Sequence, residues 1–211
     1  MRPPAGPDGG AAWPPARSTE TGQLKAGSRT AGVKRQYLGC AGKAANGIST
    51  VHLVYVREGT GHALIGAREW IPAGHLKDPA KSAVMGLPAD LAFRTKGQLA
   101  IDILAGAFAG GVRLDFVSGD EVHGSCTELR EFCEACGQAC VLRVPSSFRL
   151  PLAGGITLTC KQAAARLGSR RGGEVRPAGT GSKGQRCHAW AWPRSSRITR
   201  IGELVNRVDV S

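Results

Sequence analysis

The chain has 211 residues, with 28 Lys or Arg against 16 Asp or Glu and a formal net charge of +12. This length suffices for one domain with a hydrophobic core, and the basic surplus favours a nucleic-acid partner, because neutralised phosphates release their counterions. Composition excludes a membrane protein and a secreted disulfide scaffold, because no apolar run could span a bilayer and no secretory signal accompanies the seven cysteines.

The first part of the chain is predicted to lack regular structure. Five prolines lie among residues 1–18, a composition that predicts a disordered leader. Residues 19–47 are rich in glycine, lysine and arginine, which predicts a basic loop region. Lys34 and Arg35 in this region are candidate contacts to a DNA backbone, and a merely solvated basic surface is the alternative.

Predicted regular structure begins with a hairpin. Residues 48–56 are rich in β-branched side chains and predict a strand, and residues 62–71 predict its hairpin partner. Thr95 and Gln98 have the spacing of a capping box, so we expect a helix to begin there and to end at Gly110.

The next elements continue the alternation of strands and helices. Residues 112–117 predict a buried strand, and Ser125 with Glu128 predicts a second capping box, opening a helix that ends near Gly137. Another strand is expected at residues 139–144, which Pro145 stops. Two further hairpins are predicted over residues 148–160 and 174–192. This order of elements predicts an α/β mixed sheet with helices packed on it.

Asp120 is the principal candidate site residue. It follows the strand at 112–117, and open α/β sheets place ligand chemistry at the carboxyl ends of their strands. Glu121 lies beside it, and a hard cation such as Mg²⁺ prefers such oxygen ligands. The alternative is that Asp120 only caps the following helix. His123 is either a structural histidine or a proton-transfer group.

The cysteines could form a zinc site, but their spacing favours a structural role. Cys126, Leu129, Cys133 and Cys136 repeat at helical spacing, which places them on one face of the predicted helix. A free cysteine on such a face behaves as a small hydrophobic residue. We therefore expect no zinc.

Basic and aromatic residues near the end of the chain are candidates for DNA contact. Residues 179–184 resemble a phosphate-binding loop but lack the Walker order of residues, so a hairpin tip is expected. Lys183 and Arg186 in and after this tip are candidate backbone contacts, with a solvated loop as the alternative. Trp190 and Trp192 share one face of a predicted strand, for packing or for base stacking.

Several motifs, taken together and in order, resemble bacterial insertion-sequence transposases of the DDE superfamily, insertion-sequence group 701. They are Thr21-Gly22-Gln23-Leu24-Lys25-Ala26-Gly27, Ala31-Gly32-Val33-Lys34-Arg35-Gln36-Tyr37, Gly61-His62-Ala63-Leu64-Ile65, Phe93-Arg94-Thr95-Lys96, Gly119-Asp120-Glu121-Val122-His123-Gly124 and Gly181-Ser182-Lys183-Gly184-Gln185-Arg186. The resemblance implies a ribonuclease H-like mixed sheet with flanking helices and a β-rich insertion. It also implies DNA strand cleavage and joining at element ends, by three acidic residues that hold two Mg²⁺ or Mn²⁺ ions.

The resemblance makes Asp120 the second acidic residue of the three, and a metal ligand. Thr19 stands where the family has its first Asp, and Glu20 is a poor substitute, because neighbours on a strand point to opposite faces. The third acid, a helical Glu, is expected beyond the end of the chain, and no motif supports Glu203 in that role. The first core strand is expected to be missing, because the proline-rich leader occupies its place.

These expectations describe a partial or truncated transposase. Residues 19–193 would form the partial DDE domain, and residues 194–211 an unrelated tail. We expect a chain that is inactive alone, with a non-catalytic basic DNA-binding or interaction remnant as the alternative. Its expected partners are DNA at element ends and a second copy or an intact transposase, with no membrane, in the bacterial cytoplasm near the nucleoid.

Overall fold

A computed structural model describes residues 15–57, 60–152, 154–168, 174–181, 184–191 and 206–207 of the chain. The elements of its first part are β1 Ala16–Leu24, β2 Lys34–Leu38, β3 Lys43–Arg57, β4 Gly61–Glu69, α1 Ala73–Leu76, α2 Pro79–Val84, α3 Lys96–Ala109, β5 Val117–Gly119, α4 Glu121–Gly124, α5 Thr127–Ala135 and β6 Cys140–Leu142. Those that follow are β7 Arg149–Pro151, β8 Thr157–Thr159, α6 Cys160–Gly168, β9 Glu174–Gly181, β10 Gly184–Ala191 and β11 Asn206–Arg207.

The main sheet is mixed and is organised around β1. Its strand order is β2-β3-β1-β5-β6, and β4 also pairs with β3. β1 runs antiparallel to β3 and parallel to β5. β2 and β4 share the other edge of β3, each antiparallel to it. The α/β mixed sheet with flanking helices that the sequence predicts is therefore confirmed, and its order is that of a ribonuclease H-like core.

Side chains of β3 alternate between two environments. Ser49, Val51 and Leu53 are buried, and Thr50 and His52 between them are only half-buried. The buried side packs against α3, where a Cβ at Gly66 of β4 would collide with Ile103. We call this side of the sheet the core face and the opposite side the second face. On the second face, none of the described side chains of β1 and β3 is buried.

Helix α3 covers the core face because its apolar residues recur at helical spacing. Leu99, Ile103 and Leu104 are all buried. The predicted capping box forms, since the Thr95 hydroxyl accepts from the Gln98 amide and the Gln98 side chain accepts from the Thr95 amide. The adjacent helix α5 packs against α3, where the rings of one phenylalanine from each helix stack 6.2 Å apart.

The expectation of a missing first core strand is wrong, because β1 occupies the centre of the sheet. Pro15 takes part in the sheet, since its carbonyl accepts a hydrogen bond from the Val56 amide at 2.9 Å. A proline is tolerated at the start of a strand, where its missing N–H is not needed. The strand therefore begins at Ala16, inside the predicted leader. Residues 1–14 lie outside the described residues.

Residues 19–47 are likewise not the predicted loop region, since most of β1, all of β2 and the start of β3 lie within them. The many glycines in this segment led to the prediction of a loop. Gly22 and Gly47 lie in strands, where each leaves room for the side chain of Leu38. Glycine in a strand often marks such a close approach.

Two other predicted boundaries are wrong. The capping box at Ser125 and Glu128 does not form, because Ser125 ends α4 and Cys126 precedes α5 without a side-chain cap. The strand predicted over 112–117 is shorter and later, at Val117–Gly119.

Contacts divide the chain into two units, residues 1–140 and residues 141–211, and each is described by itself. In the second unit, both predicted hairpins are confirmed as β7 with β8 and β9 with β10. β11 adds to β10. Helix α6 was not predicted. Within the described residues, no helix is long and apolar enough to cross a membrane.

Two leucines on paired strands test the assignment of the core face. Leu53 of β3 is 1% exposed and Leu64 of β4 is 59% exposed. We expect Leu53→Ala to lower the free energy of unfolding by about 2–5 kcal/mol, because it leaves a cavity under α3. Leu64→Ala is the matched control, with an expected change below about 0.5 kcal/mol. Urea denaturation of both variants measures the difference, and equal losses would contradict the assignment.

Candidate functional site

The end of β5 lies beside β1, and this pairing determines what faces Asp120. Ser18 of β1 pairs with Gly119 of β5 in the parallel register. One residue beyond that pair are Thr19, still in β1, and Asp120, which follows β5 and begins α4. Ser18 and Val117 are buried on the core face, so alternation assigns Thr19 to the second face. Thr19 therefore lies beside the end of β5, next to Asp120.

Asp120 also caps helix α4. Its Oδ1 accepts hydrogen bonds from the backbone amides of Val122 at 3.1 Å and His123 at 3.3 Å. The same oxygen lies 2.9 Å from Nδ1 of His123. The capping role that the sequence left as an alternative is thus present. The other oxygen, Oδ2, has no hydrogen-bond partner among the described residues, and the side chain is 37% exposed.

His123 keeps this carboxylate charged. The hydrogen bond from His123 holds the pKa of Asp120 below its usual value, and partial burial opposes this effect. The ring of His123 is 0% exposed, and within the described residues its Nε2 has no hydrogen-bond partner. Burial of the whole ring favours the structural role for His123, as the residue that orients Asp120.

Glu20 lies on the core face and is engaged in a separate cluster. Its carboxylate forms an ion pair with Lys96 at 2.5 Å, and the two side chains are 26% and 19% exposed. Lys96 and Lys34 lie over the ring of Trp70, at 5.2 and 5.6 Å from its centroid. Glu20 thus points away from the face that carries Thr19, as expected for its neighbour on a strand, and its unsuitability as a replacement acid stays a prediction. No sequence pattern indicated the cluster, since its members meet only in the folded chain.

The donor set at this position does not fit a pair of divalent cations. Thr19 offers a neutral hydroxyl, and Asp120 offers one carboxylate whose Oδ1 already accepts three contacts. Two Mg²⁺ or Mn²⁺ ions require several anionic oxygens to offset their charge. Within the described ranges, no three His, Cys, Asp or Glu side chains come together as metal ligands.

Of the four basic residues predicted to contact DNA, two have side chains that the structure describes. Lys34 and Arg35 are both exposed on β2, and as neighbours on a strand they point to opposite faces. Lys183 lies outside the described residues. Arg186 lies in β10, where only the backbone is described. Trp190 lies in the same strand, and Trp192 is outside the described residues.

The cysteines near α5 are partly buried. Cys133 is 1% exposed and packs in the core as expected, whereas Cys136 is exposed. A hydrogen bond from Cys133, aided by the positive charge of Arg130, lowers the pKa of Cys140 to about 7. The same bond and burial raise the pKa of Cys133. The expected absence of zinc stays a prediction.

A mixed sheet of this order, with an acid at the end of a strand parallel to the central one, has the architecture of ribonuclease H-like nucleic-acid enzymes. The model of the DDE superfamily endonuclease family matches residues 19–200, and the chain belongs to this family. No curated protein matches the sequence closely enough to be counted as a relative. The match begins at Thr19, in the central strand, and the resemblance to a DDE-type transposase domain is confirmed.

The pairing of Asp120 with His123 predicts a pH-dependent contribution to stability. Because the folded pKa of Asp120 is lowered, the charged carboxylate stabilises the fold above its unfolded pKa of about 3.9. This contribution is lost as the pH falls through the folded pKa. We expect the difference in unfolding free energy between the wild type and Asp120→Asn to be largest above pH ~5 and to shrink below pH ~4.

Urea denaturation at several pH values measures this difference. The control is the same comparison in a His123→Gln background, where the pH-dependent part should be smaller because the main cause of the shift is gone. A difference that does not change with pH in the wild-type background would refute the interaction.

Proposed function

We propose that the chain is a partial transposase domain of an insertion sequence, of group 701, which binds DNA at element ends but does not cleave it alone. The single observation that supports this is the register that sets Thr19 beside Asp120. The family match supplies the DNA substrate and the reaction class, phosphodiester cleavage. Its expected location is the bacterial cytoplasm, at the nucleoid.

The proposed inactivity follows from charge. In a two-ion site, acidic ligands offset the cations, and the cations in turn stabilise the attacking and leaving oxygens. Replacing one acid by Thr19 removes a full negative charge next to Asp120. The third acid has no candidate among the described residues near Asp120. We therefore propose that Asp120 alone does not retain the divalent ions on which cleavage depends.

A second function, a non-catalytic DNA-binding remnant, is favoured by the charge distribution. Residues 21–57 contain six Lys or Arg and no Asp or Glu. Such a chain could occupy element ends or associate with an intact transposase or a second copy. Both functions include DNA binding. They differ in whether a second acid beside Asp120 would restore metal binding. Lys34 and Arg35 are proposed to supply part of the DNA affinity through their charge.

The first prediction concerns cleavage by the wild type. With Mg²⁺ or Mn²⁺ and a supercoiled plasmid carrying the DNA that flanks the reading frame, we expect no metal-dependent nicking above background. Gel electrophoresis of the plasmid forms measures this. Robust nicking that Asp120→Ala abolishes would refute the proposed inactivity, because it would show a complete site around Asp120.

The second prediction restores the missing charge. Thr19→Asp places a second carboxylate beside Asp120, and we expect it to tighten Mn²⁺ binding by about tenfold or more, or ~1.4 kcal/mol. Electron paramagnetic resonance of free Mn²⁺ measures the binding. Thr21→Asp is the matched control, because it adds the same charge on the same face two residues further along β1.

The outcomes separate the two functions. Mn²⁺ binding that improves with Thr19→Asp and not with Thr21→Asp, and that Asp120→Asn removes again, supports a degenerate cleavage site. Equal binding by both variants would show that the register beside Asp120 has no special role. Salt-dependent DNA binding without this gain would favour the non-catalytic remnant.

A further inference from the structure

The basic residues of the segment 21–57 are not neutralised by neighbours. They are Lys25, Arg29, Lys34, Arg35, Lys43 and Arg57. None of them forms an ion pair with a described residue, whereas Lys96, Arg94 and Lys81 elsewhere in the chain do. Their charge is therefore available to an anionic partner.

Part of this segment forms a two-stranded ribbon, which we call the basic ribbon and define as residues 34–47. β2 pairs with the start of β3, from Lys34 with Gly47 to Leu38 with Lys43. β1 ends at Leu24, whose partner is Gly47, so the remaining ribbon residues of β3 have β2 as their described strand partner. A two-stranded antiparallel ribbon fits the major groove of DNA.

Leu38 anchors the basic ribbon to the sheet. Its side chain is 1% exposed on the core face. It fills the space above Gly22 and Gly47, where a Cβ on either glycine would collide with it. The ribbon is therefore held in a defined orientation relative to β1 and β3.

This anchor also decides which side chains of β2 lie on the second face. Arg35 and Tyr37 alternate with Leu38 and so lie opposite it. Both are exposed, and Tyr37 is 71% exposed. Thr19 lies on the same face of the sheet, beside the end of β5 that Asp120 follows. Glu69 of β4 is an acidic residue of this face and lies on the same edge of β3 as Arg35, with its carboxylate near Gly32, so DNA would pass on the β1 side of it.

The distance from Thr19 to Arg35 along the second face follows from the strand pairing. Thr19 pairs with His52, and Arg35 pairs with Asn46. Six residues of β3 separate the two pairs, which is about 20 Å at ~3.3 Å per residue. In duplex DNA this length corresponds to about six base pairs at ~3.4 Å each.

We propose that duplex DNA lies along the second face, with the nucleotide nearest Asp120 about six base pairs from the segment that Arg35 and Tyr37 contact. This proposal rests on the proposed function, because the family supplies DNA as the substrate. Arg35 contacts a phosphate directly, Tyr37 contacts the adjoining sugar or base, and Lys34 contributes only through its charge at longer range.

Neighbouring residues of β2 provide the matched test. The full chain carrying Arg35→Gln or Lys34→Gln is titrated with a fluorescent 30-base-pair duplex at several salt concentrations. Both variants lose one positive charge from the same strand, but only Arg35 faces the DNA. We expect Arg35→Gln to weaken binding several-fold and to reduce the salt slope by about 1. Lys34→Gln should leave the slope nearly unchanged.

The spacing is tested with two cleavage centres on one molecule. Thr19→Cys and Asn46→Cys each carry a thiol-linked iron chelate, in a chain whose Cys40, Cys126, Cys136, Cys140 and Cys187 are replaced by Ser. Among the described cysteines this leaves only the buried Cys133 and Cys160. A protein molecule that cuts uniformly labelled DNA at both chelates releases a short fragment. The length of this fragment gives the spacing between the two cuts and does not depend on where the protein binds. We expect fragments centred on about six nucleotides.

The outcomes distinguish this proposal from the proposed function. Salt-dependent binding with equal effects of Arg35→Gln and Lys34→Gln, or double cuts at another spacing, would overturn the placement of DNA on the second face while leaving DNA binding intact. No DNA binding by the wild type at any salt concentration would overturn both. Thermal unfolding of each variant shows whether a loss of binding comes from a loss of fold.

Discussion

The pairing of β1 with both β3 and β5 is the constraint on which the rest of this fold depends. β1 is antiparallel to one neighbour and parallel to the other, so it joins the hairpin half of the sheet to the strand that ends at Asp120. Its register decides which residues share a face. Because side chains alternate along a strand, a shift by one residue would exchange Thr19 and Glu20 between the two faces.

The two faces have different tasks. The core face buries Val51 and Leu53 under α3 and holds the ion pair of Glu20 with Lys96. That ion pair is partly shielded from solvent, so it helps to position the start of α3 on the sheet. The second face carries Thr19 and a mixture of polar and apolar half-buried residues of β3, such as Thr50, His52 and Val54. On the proposed placement of DNA, stability and substrate contact lie on opposite sides of the same strands.

Local signals predicted the elements whose cause is local. The capping box of α3 depends on Thr95 and Gln98 alone, and the hairpin of β3 and β4 on neighbouring residues, so both were predictable from sequence. β1 was not, because it is polar along much of its length and derives its stability from two strands distant in sequence. The role of Asp120 was partly predictable. Its position after a strand could be predicted, but its contact with the buried ring of His123 depends on the turn of α4.

A threonine rather than an acid at position 19 suits the fold for an electrostatic reason. Two adjacent carboxylates repel each other unless a cation lies between them, so an acid beside Asp120 costs stability whenever the metal is absent. Threonine removes that repulsion and, as a β-branched residue, suits the strand. Asp120 has a structural role of its own, because its carboxylate caps α4 and contacts His123. The stability of this part of the sheet therefore requires neither a second acid nor a metal ion beside Asp120.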